Sequence, residues 1–404
     1  MSNYFEQEEL HLTDFILSKG KKVKGPRDIL KVQPDDSSTP AFGSTPVIKI
    51  KKHGDDQLLE RARLIVQLSA IAYTPGTFRR FVNAVILFMF KRFELWQNGK
   101  QLRQIHPRAV WSKLKYFTSS DKFARICQDT GFDSTAANRN TAGTGVQTFS
   151  INLKRIFDIF NRVLDRHLIK DDFEIRLPLV DSSTHIIQTD GTASSCTITD
   201  MYLDLHYVRA KPSILKALRE NYYINKKVSD AWYEVEYEVK ETTFLSGATQ
   251  GLVDLPSVKG KLVQDIHNVM IANSLIEVVN ADYTDVQIAY TSFNIKSSDK
   301  FLQPVQRDIT TSYYNRALFG DMKYIGERNL ISGTTLANEF VISYGDDYRH
   351  DFEDGIHYVG GRQFTESDTQ VTINVSALAA NTRCYITIAK PRRVRIEDGE
   401  IKDL

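Results

Sequence analysis

FVNAVILFMFKRFELWQNGKQLRQI, residues 81–105, decides the fold class. An apolar run leads into two short alternating segments separated by Asn98-Gly99. Asn-Gly is the strongest short-range signal for a two-residue type I′ turn, whose central positions both need φ > 0. Counting outward from the turn pairs Gln97 with Lys100, Trp96 with Gln101, Leu95 with Leu102 and Glu94 with Arg103. That register puts Phe93, Leu95 and Leu102 on one face of a sheet and an opposite-charge pair on the other. Glu94–Arg103 therefore reads as a cross-strand ion pair, not as a catalytic couple.

Working outward, much of the chain repeats this pattern. Phe173, Ile175, Leu177 and Leu179 alternate with Glu174, Arg176 and Pro178, a period of two ending at a proline suited to an edge or a strand end. Residues 196–208 make another strand, and Lys211–Asn221 a short helix. Tyr233, Val235, Tyr237 and Val239 then alternate with Glu234, Glu236 and Glu238. The carboxylate row reads as the solvated face of a half-buried strand and not as acid–base machinery. Further strands are expected at 261–279, 285–296, 338–344, 370–375 and 383–389, with a helix-like piece at Asp308–Phe319. The clearest helix is expected at 151–168, where Leu153, Ile156, Phe157, Phe160, Val163, Leu164 and Leu168 share a stripe. His167 at its end reads as a capping or dipole partner. Residues 56–73 are compatible with a helix or, in their later half, with a strand. Residues 129–148 read as a surface loop: Gly143-Thr144-Gly145 lacks the Gly-Lys-Ser/Thr ending of a phosphate-cradling loop.

Bulk properties narrow the function. A chain of 404 residues exceeds the size at which one core usually keeps growing, so two domains are expected. A net charge of +2 gives no basic excess for binding nucleic acid. Cys127, Cys196 and Cys384 are odd in number and far apart, which suits buried thiols in a reducing compartment better than a disulfide frame or a zinc site. The start, MSNYFEQEEL, is acidic where a signal peptide would be basic. The apolar run Phe81–Phe90 is about half of a membrane span. Residues 1–55 hold Lys19-Gly20-Lys21-Lys22 and the polar run Gln33–Pro40, a composition that suits an arm ordering against a neighbour or touching anionic lipid. Asp346, Asp347, His350, Asp351, Glu353, Asp354 and His357 are candidate ligands for Mg²⁺, Ca²⁺ or Zn²⁺, but their spacing matches neither an EF-hand nor His-Glu-x-x-His, and a solvated or interface loop is the alternative.

Two all-β halves with inserted short helices suggest two jelly-roll β-sandwiches side by side. FKRFELWQNGKQL resembles the Asn-Gly strand pair in the first roll of double jelly-roll major capsid proteins, the hexon-like proteins of adenovirus, tectivirus, corticovirus and Maverick type. MYLDLHYVRAKPSILKAL resembles the end of that roll, and AWYEVEYEVKETTFLSG the opening of the second. VQIAYTSFNIKSSDKFLQPVQRDI with SYYNRALFG resembles the second roll's middle strands and inserted helix. Residues 107–150 and 321–365 carry none of the resemblance. It implies an arm at 1–45, rolls at 46–221 and 222–395, and a tail at 396–404. It also implies a non-enzymatic virion shell protein assembled inside the host cell. Catalytic, cofactor and metal residues are none. The implied partners are its own homotrimer, neighbouring capsomers, minor capsid or penton proteins and, through the arm, an internal membrane, without sequence-specific nucleic acid. Two other readings compete: a β-sandwich spike binding carbohydrate or a receptor, which exposed tryptophans lining a cleft would favour although Trp96, Trp111 and Trp232 fall within or beside expected structural elements, and a hydrolase centred on residues 346–357.

Overall fold

The computed structural model describes residues 26–403 except 74–75, 118–119, 134–135, 192–193, 226–231, 285–287, 289, 298–299, 302–338, 344–361 and 367. The first half contains β1 (Arg27–Val32), β2 (Val47–Ile50), β3 (Gln57–Leu68), β4 (Ala72–Tyr73), β5 (Arg79–Phe81), β6 (Phe93–Gln97), β7 (Lys100–Ile105), β8 (Gln147–Asn152), β9 (Phe173–Arg176), β10 (Ile187–Thr189), β11 (Ser194–Ser195) and β12 (Ile198–Arg209). Two four-stranded sheets have the orders β1-β12-β3-β8 and β2-β9-β6-β7. Counting only these strands along the chain, first pairs with last, second with seventh, third with sixth and fourth with fifth. A long hairpin has been rolled up on itself, which is the jelly-roll topology.

The second half repeats the winding. It contains β13 (Trp232–Phe244), β14 (Gln250–Asp254), β15 (Lys261–Val263), β16 (Asp265–Ala272), β17 (Tyr290–Ser297), β18 (Lys300–Phe301), β19 (Glu339–Ser343), β20 (Arg362–Phe364), β21 (Gln370–Val375), β22 (Thr382–Glu397) and β23 (Glu400–Asp403). Its sheets run β13-β22-β16-β19, with β23 added to β22, and β14-β21-β17-β18. Position for position, this is the order of the first half.

Alternation explains the best-formed strands. On β12, Met201, Leu203, Leu205 and Tyr207 are buried while Tyr202, Asp204 and His206 between them are half-exposed. β3 carries Ala62, Leu64, Val66 and Leu68 inward opposite β12, with Leu64 facing Leu203. Residues 57–68 are thus a strand, and the helical option for 56–73 is set aside. The second roll has its own core, in which Phe293, Ile295, Val371, Ile373, Ile386 and Ile388 are fully buried.

Other expectations change. Residues 151–168 are not one helix: β8 ends at Asn152, and short 3₁₀ turns follow at Leu153–Arg155, Asp158–Asn161 and Arg166–Leu168. The stripe was misleading because the segment is buried nearly all round. Ile159, off the stripe, is buried, as are Arg155 and Arg166. Residues 129–148 include the helix Ala136–Gly143, whose last residue sits against the Arg79 backbone. Helices also occupy Pro107–Phe117 and Ser120–Thr130. Residues 27–32, inside the span expected as an arm, pair with β12, and 400–403, inside the expected tail, pair with β22. The helix after β12 runs Pro212–Asn225. Asp308–Phe319 lies outside the described residues. No helix among them is long and apolar enough to cross a membrane. Cys127, Cys196 and Cys384 are buried and unbridged, and burial pushes each thiol up to about 12.

The opening hairpin forms with Asn98 at φ 50° and Gly99 at φ 68°. Its first two pairs are those expected, but a bulge between Leu95 and Trp96 shifts the rest. Leu95 now faces Arg103, and Glu94 faces Gln104. The expected Glu94–Arg103 pair does not form. A Cβ on Gly99 would meet open space. Gly99→Val should therefore cost only the strain of a β-branched residue at positive φ, about 1–3 kcal/mol, and lower the melting temperature by several degrees. An unchanged melting temperature would count against the turn.

Candidate functional site: the seam between the rolls

Asp265–Ile271 of β16 and Cys384–Lys390 of β22 are buried at every position, so these strands are covered on both faces. Ile266, Met270, Cys384, Ile386 and Ile388 point into the second roll's core. Val235, Tyr237, Val269, Ile271, Tyr385 and Ala389 instead join the core of the first roll. They pack where β7, the helix Pro107–Phe117 and the turn Asp158–Asn161 come together. A strand apolar on both faces is what a sheet covered on both sides requires. The seam is therefore built into the alternation of β22.

Its polar groups are paired, some across that interface and some within one roll. Displaced by the bulge, Arg103 Nε donates to Glu234 Oε2 at 2.8 Å, and Arg103 also reaches Asp403 at 3.3 Å. The Glu234 side chain is 4% exposed and that of Arg103 11%. Arg392 stands 4.0 Å from Glu234 and 3.8 Å from Glu236, and Lys390 meets Glu238 at 2.5 Å. The carboxylate row is thus paired with cations; Glu234 is buried where the sequence reading had it solvated, whereas Glu236 keeps the exposed face expected of it. Burial lowers the pKa of Arg392, with Arg103 beside it acting the same way. Lys113 Nζ binds Asp158 Oδ1 at 2.6 Å, and Asp158 Oδ2 accepts from the Val235 backbone N at 3.0 Å. Buried ion pairs contribute little net stability because of desolvation; the contacts that join one roll to the other are Arg103–Glu234, Arg103–Asp403 and Asp158–Val235 N. Glu94 takes the Trp96 indole N–H at 2.8 Å and pairs with Arg92. The cleft beside Arg103 and Glu234, lined also by Leu95, Phe157 and Ile401, is water-sized.

The seam is closed at both ends by corresponding connections. At one end, the link between the third and fourth main strands of each roll meets its counterpart: Phe88 stacks on Tyr283 at 4.7 Å. Nearby, Asn280 N donates to Ile187 O at 3.0 Å, and Gln188 Nε2 to Ala281 O at 2.8 Å. At the other end, the turn between β22 and β23 enters the first roll. Gly399 O accepts from Gln97 Nε2 at 2.7 Å and from Lys170 N at 2.9 Å, and Ile401 N donates to Gln97 Oε1 at 3.4 Å. The rolls therefore stand side by side and point the same way.

His106 lies in this seam against Tyr385, keeping an exposed edge, and its Nδ1 accepts from Arg108 N at 3.1 Å. Burial first, then Arg108 and Arg383, depress its pKa to about 4. The unfolded chain takes up this proton near pH 6.5 and the folded one only near 4. The resulting stability is intact above 6.5 and is lost as pH falls through that window, by about 2 kcal/mol allowing for the exposed edge. In urea titrations at pH 7 and 4.5, His106→Gln should show a smaller acid loss than the parent; equal losses would contradict the assignment.

The other described candidates make structural contacts. His167 lies in a 3₁₀ turn with its Nε2 3.2 Å from Gly54 O. Trp96 is half-buried beneath Arg176, Trp111 is buried against Phe132, and the Trp232 side chain lies outside the described residues. Residues 346–357 lie outside them as well, and no metal-ligating cluster occurs among those described. The sequence reading missed the turn at Asp398-Gly399. Its signal was present: an Asp-Gly between VRIE and EIKD is the same type I′ signature as Asn98-Gly99.

No family model and no curated relative matches this sequence. Solved structures do match its coordinates. The quasi-atomic model of the PBCV-1 virus capsid superposes with a TM-score of 0.65 at 11% identity, covering 95% of this chain and 97% of the other. The fold is that of the double jelly-roll capsid proteins. The Faustovirus major capsid protein gives 0.65 at 11% identity over 93% and 92%, and the mavirus major capsid protein 0.52 at 10% over 95% and 91%. A double jelly roll that spans such chains almost end to end has both rolls present in this one.

Proposed function

We propose that this chain is the major shell protein of an icosahedral virus, acting by self-assembly and not by catalysis. The observation that carries the reading is the seam: two rolls of the same winding, locked in the same orientation. Three such chains about a threefold axis would present six similar rolls, a near-hexagonal outline that tiles a shell. Closed cyclic symmetry is the usual outcome for soluble homo-oligomers. In this reading the first roll comprises 46–221 with β1 added from the arm of 1–45, and the second comprises 222–395 with the 396–404 segment folded back on it. Neighbouring capsomers and minor capsid or penton proteins are the partners, an internal membrane is reached through the arm, and the location is the virion. Native mass spectrometry should find a trimer that survives dilution. A monomer or dimer as the sole folded species would sink the reading in favour of a receptor- or carbohydrate-binding spike.

A further inference from the structure

Where Phe88 meets Tyr283, two guanidinium groups converge on one neutral oxygen. Arg80 Nε donates to Gln188 Oε1 at 2.7 Å, and Arg139 Nη1 donates to the same atom at 3.3 Å. Gln188 is buried and cannot turn away, because its own amide nitrogen is held by Ala281 O. Arg80 also lies over the Phe78 ring, 4.9 Å from its centre. Neither arginine forms an ion pair with a carboxylate among the described residues. Arg139 Nε is buried without a hydrogen-bond partner. Three elements fix the arrangement: β5 carries Arg80, β10 carries Gln188, and the helix Ala136–Gly143 carries Arg139.

Two cations this close repel, and one amide oxygen satisfies a single N–H of each. Their remaining donors call for an acceptor carrying negative charge. Guanidinium forks match planar or tetrahedral oxyanions in geometry, offering paired N–H groups to paired oxygens. Asp133 and Asp282 act on Arg139 only at a distance, and their attraction ranks below the repulsion from Arg80. We propose that Arg80, Arg139 and Gln188 form an oxyanion-binding site in the first roll, next to its contact with the second, taking a phosphate-like or carboxylate group that bridges the two guanidinium forks. Bound there, the anion would relieve the repulsion and tie the helix Ala136–Gly143 to β5 and β10, beside the contact with the second roll.

The test is thermal unfolding of the full chain at fixed ionic strength, with chloride replaced stepwise by inorganic phosphate or by acetate. The wild type should show a saturable rise of about 2 °C with phosphate, acetate or both, and the effective ion identifies the class of group. Arg139→Gln should abolish the rise. Arg80→Gln, on the opposite side of the site, is the second variant and should do the same. No saturable rise in the wild type would overturn the proposal, as would an equal rise in both variants, which would mark a general salt effect.

Discussion

Gly399→Val is expected to destabilise the protein by about 4 kcal/mol, well beyond the loss from the same change at Gly99. Both glycines sit second in type I′ turns, with φ at 77° and 68°, so the backbone strain is common to them. Their surroundings differ. A Cβ on Gly399 would lie 2.6 Å from Lys170 Cβ and 2.9 Å from Lys170 N, and the backbone part of that contact cannot swing aside. Gly399 O also accepts the two bonds from Gln97 and Lys170 that hold β23 in the first roll. Pushing the turn out forfeits both, at about 1 kcal/mol each, in addition to the strain. Urea denaturation of the two variants side by side measures the difference. Equal losses would show that the turn between β22 and β23 does not bind the rolls together.

How much could be seen beforehand depended on what each segment packs against. β12 and β9 have one wet face, so their alternation was plain, and the resemblance placed β12 and β13 at the junction of the halves. Segments sealed on all sides lost that contrast. In residues 151–168 the apolar spacing matched a helix only because twelve of the eighteen positions are buried, Arg155 and Arg166 included. β3 was ambiguous for a related reason: Leu58 and Leu59 are both buried, which breaks its alternation at one end. The bulge in the opening hairpin has no local signal at all. It is favoured by what it delivers, turning Arg103 toward a glutamate 131 positions away. The carboxylates of β13 were misread for the same cause, since Lys390 and Arg392 lie across a strand pair that connects distant parts of the chain. The seam was therefore hidden while the rolls were visible.

Arg103→Met should cost about 3–5 kcal/mol, because it removes the nearest cation from a carboxylate already taken out of water. Glu234 is 4% exposed and has its closest ion-pair contact, at 2.8 Å, with Arg103; Arg392 stands farther off at 4.0 Å. An exposed pair would lose less than about 1 kcal/mol on the same change, so the size of the loss reports burial directly. The reciprocal change, Glu234→Met, leaves Arg103 with Asp403 at 3.3 Å, a partner 57% exposed, and should be milder. The double variant, Arg103→Met with Glu234→Met, should recover most of the first loss, since two thioethers fit among Leu95, Leu102, Phe157 and Ile401 without desolvating a charge. A coupling free energy of at least about 1.5 kcal/mol is expected from the resulting cycle. Additive losses in the cycle would mean that Arg103 and Glu234 act separately, and that the seam owes its register to Lys113, Asp158 and the Val235 backbone instead.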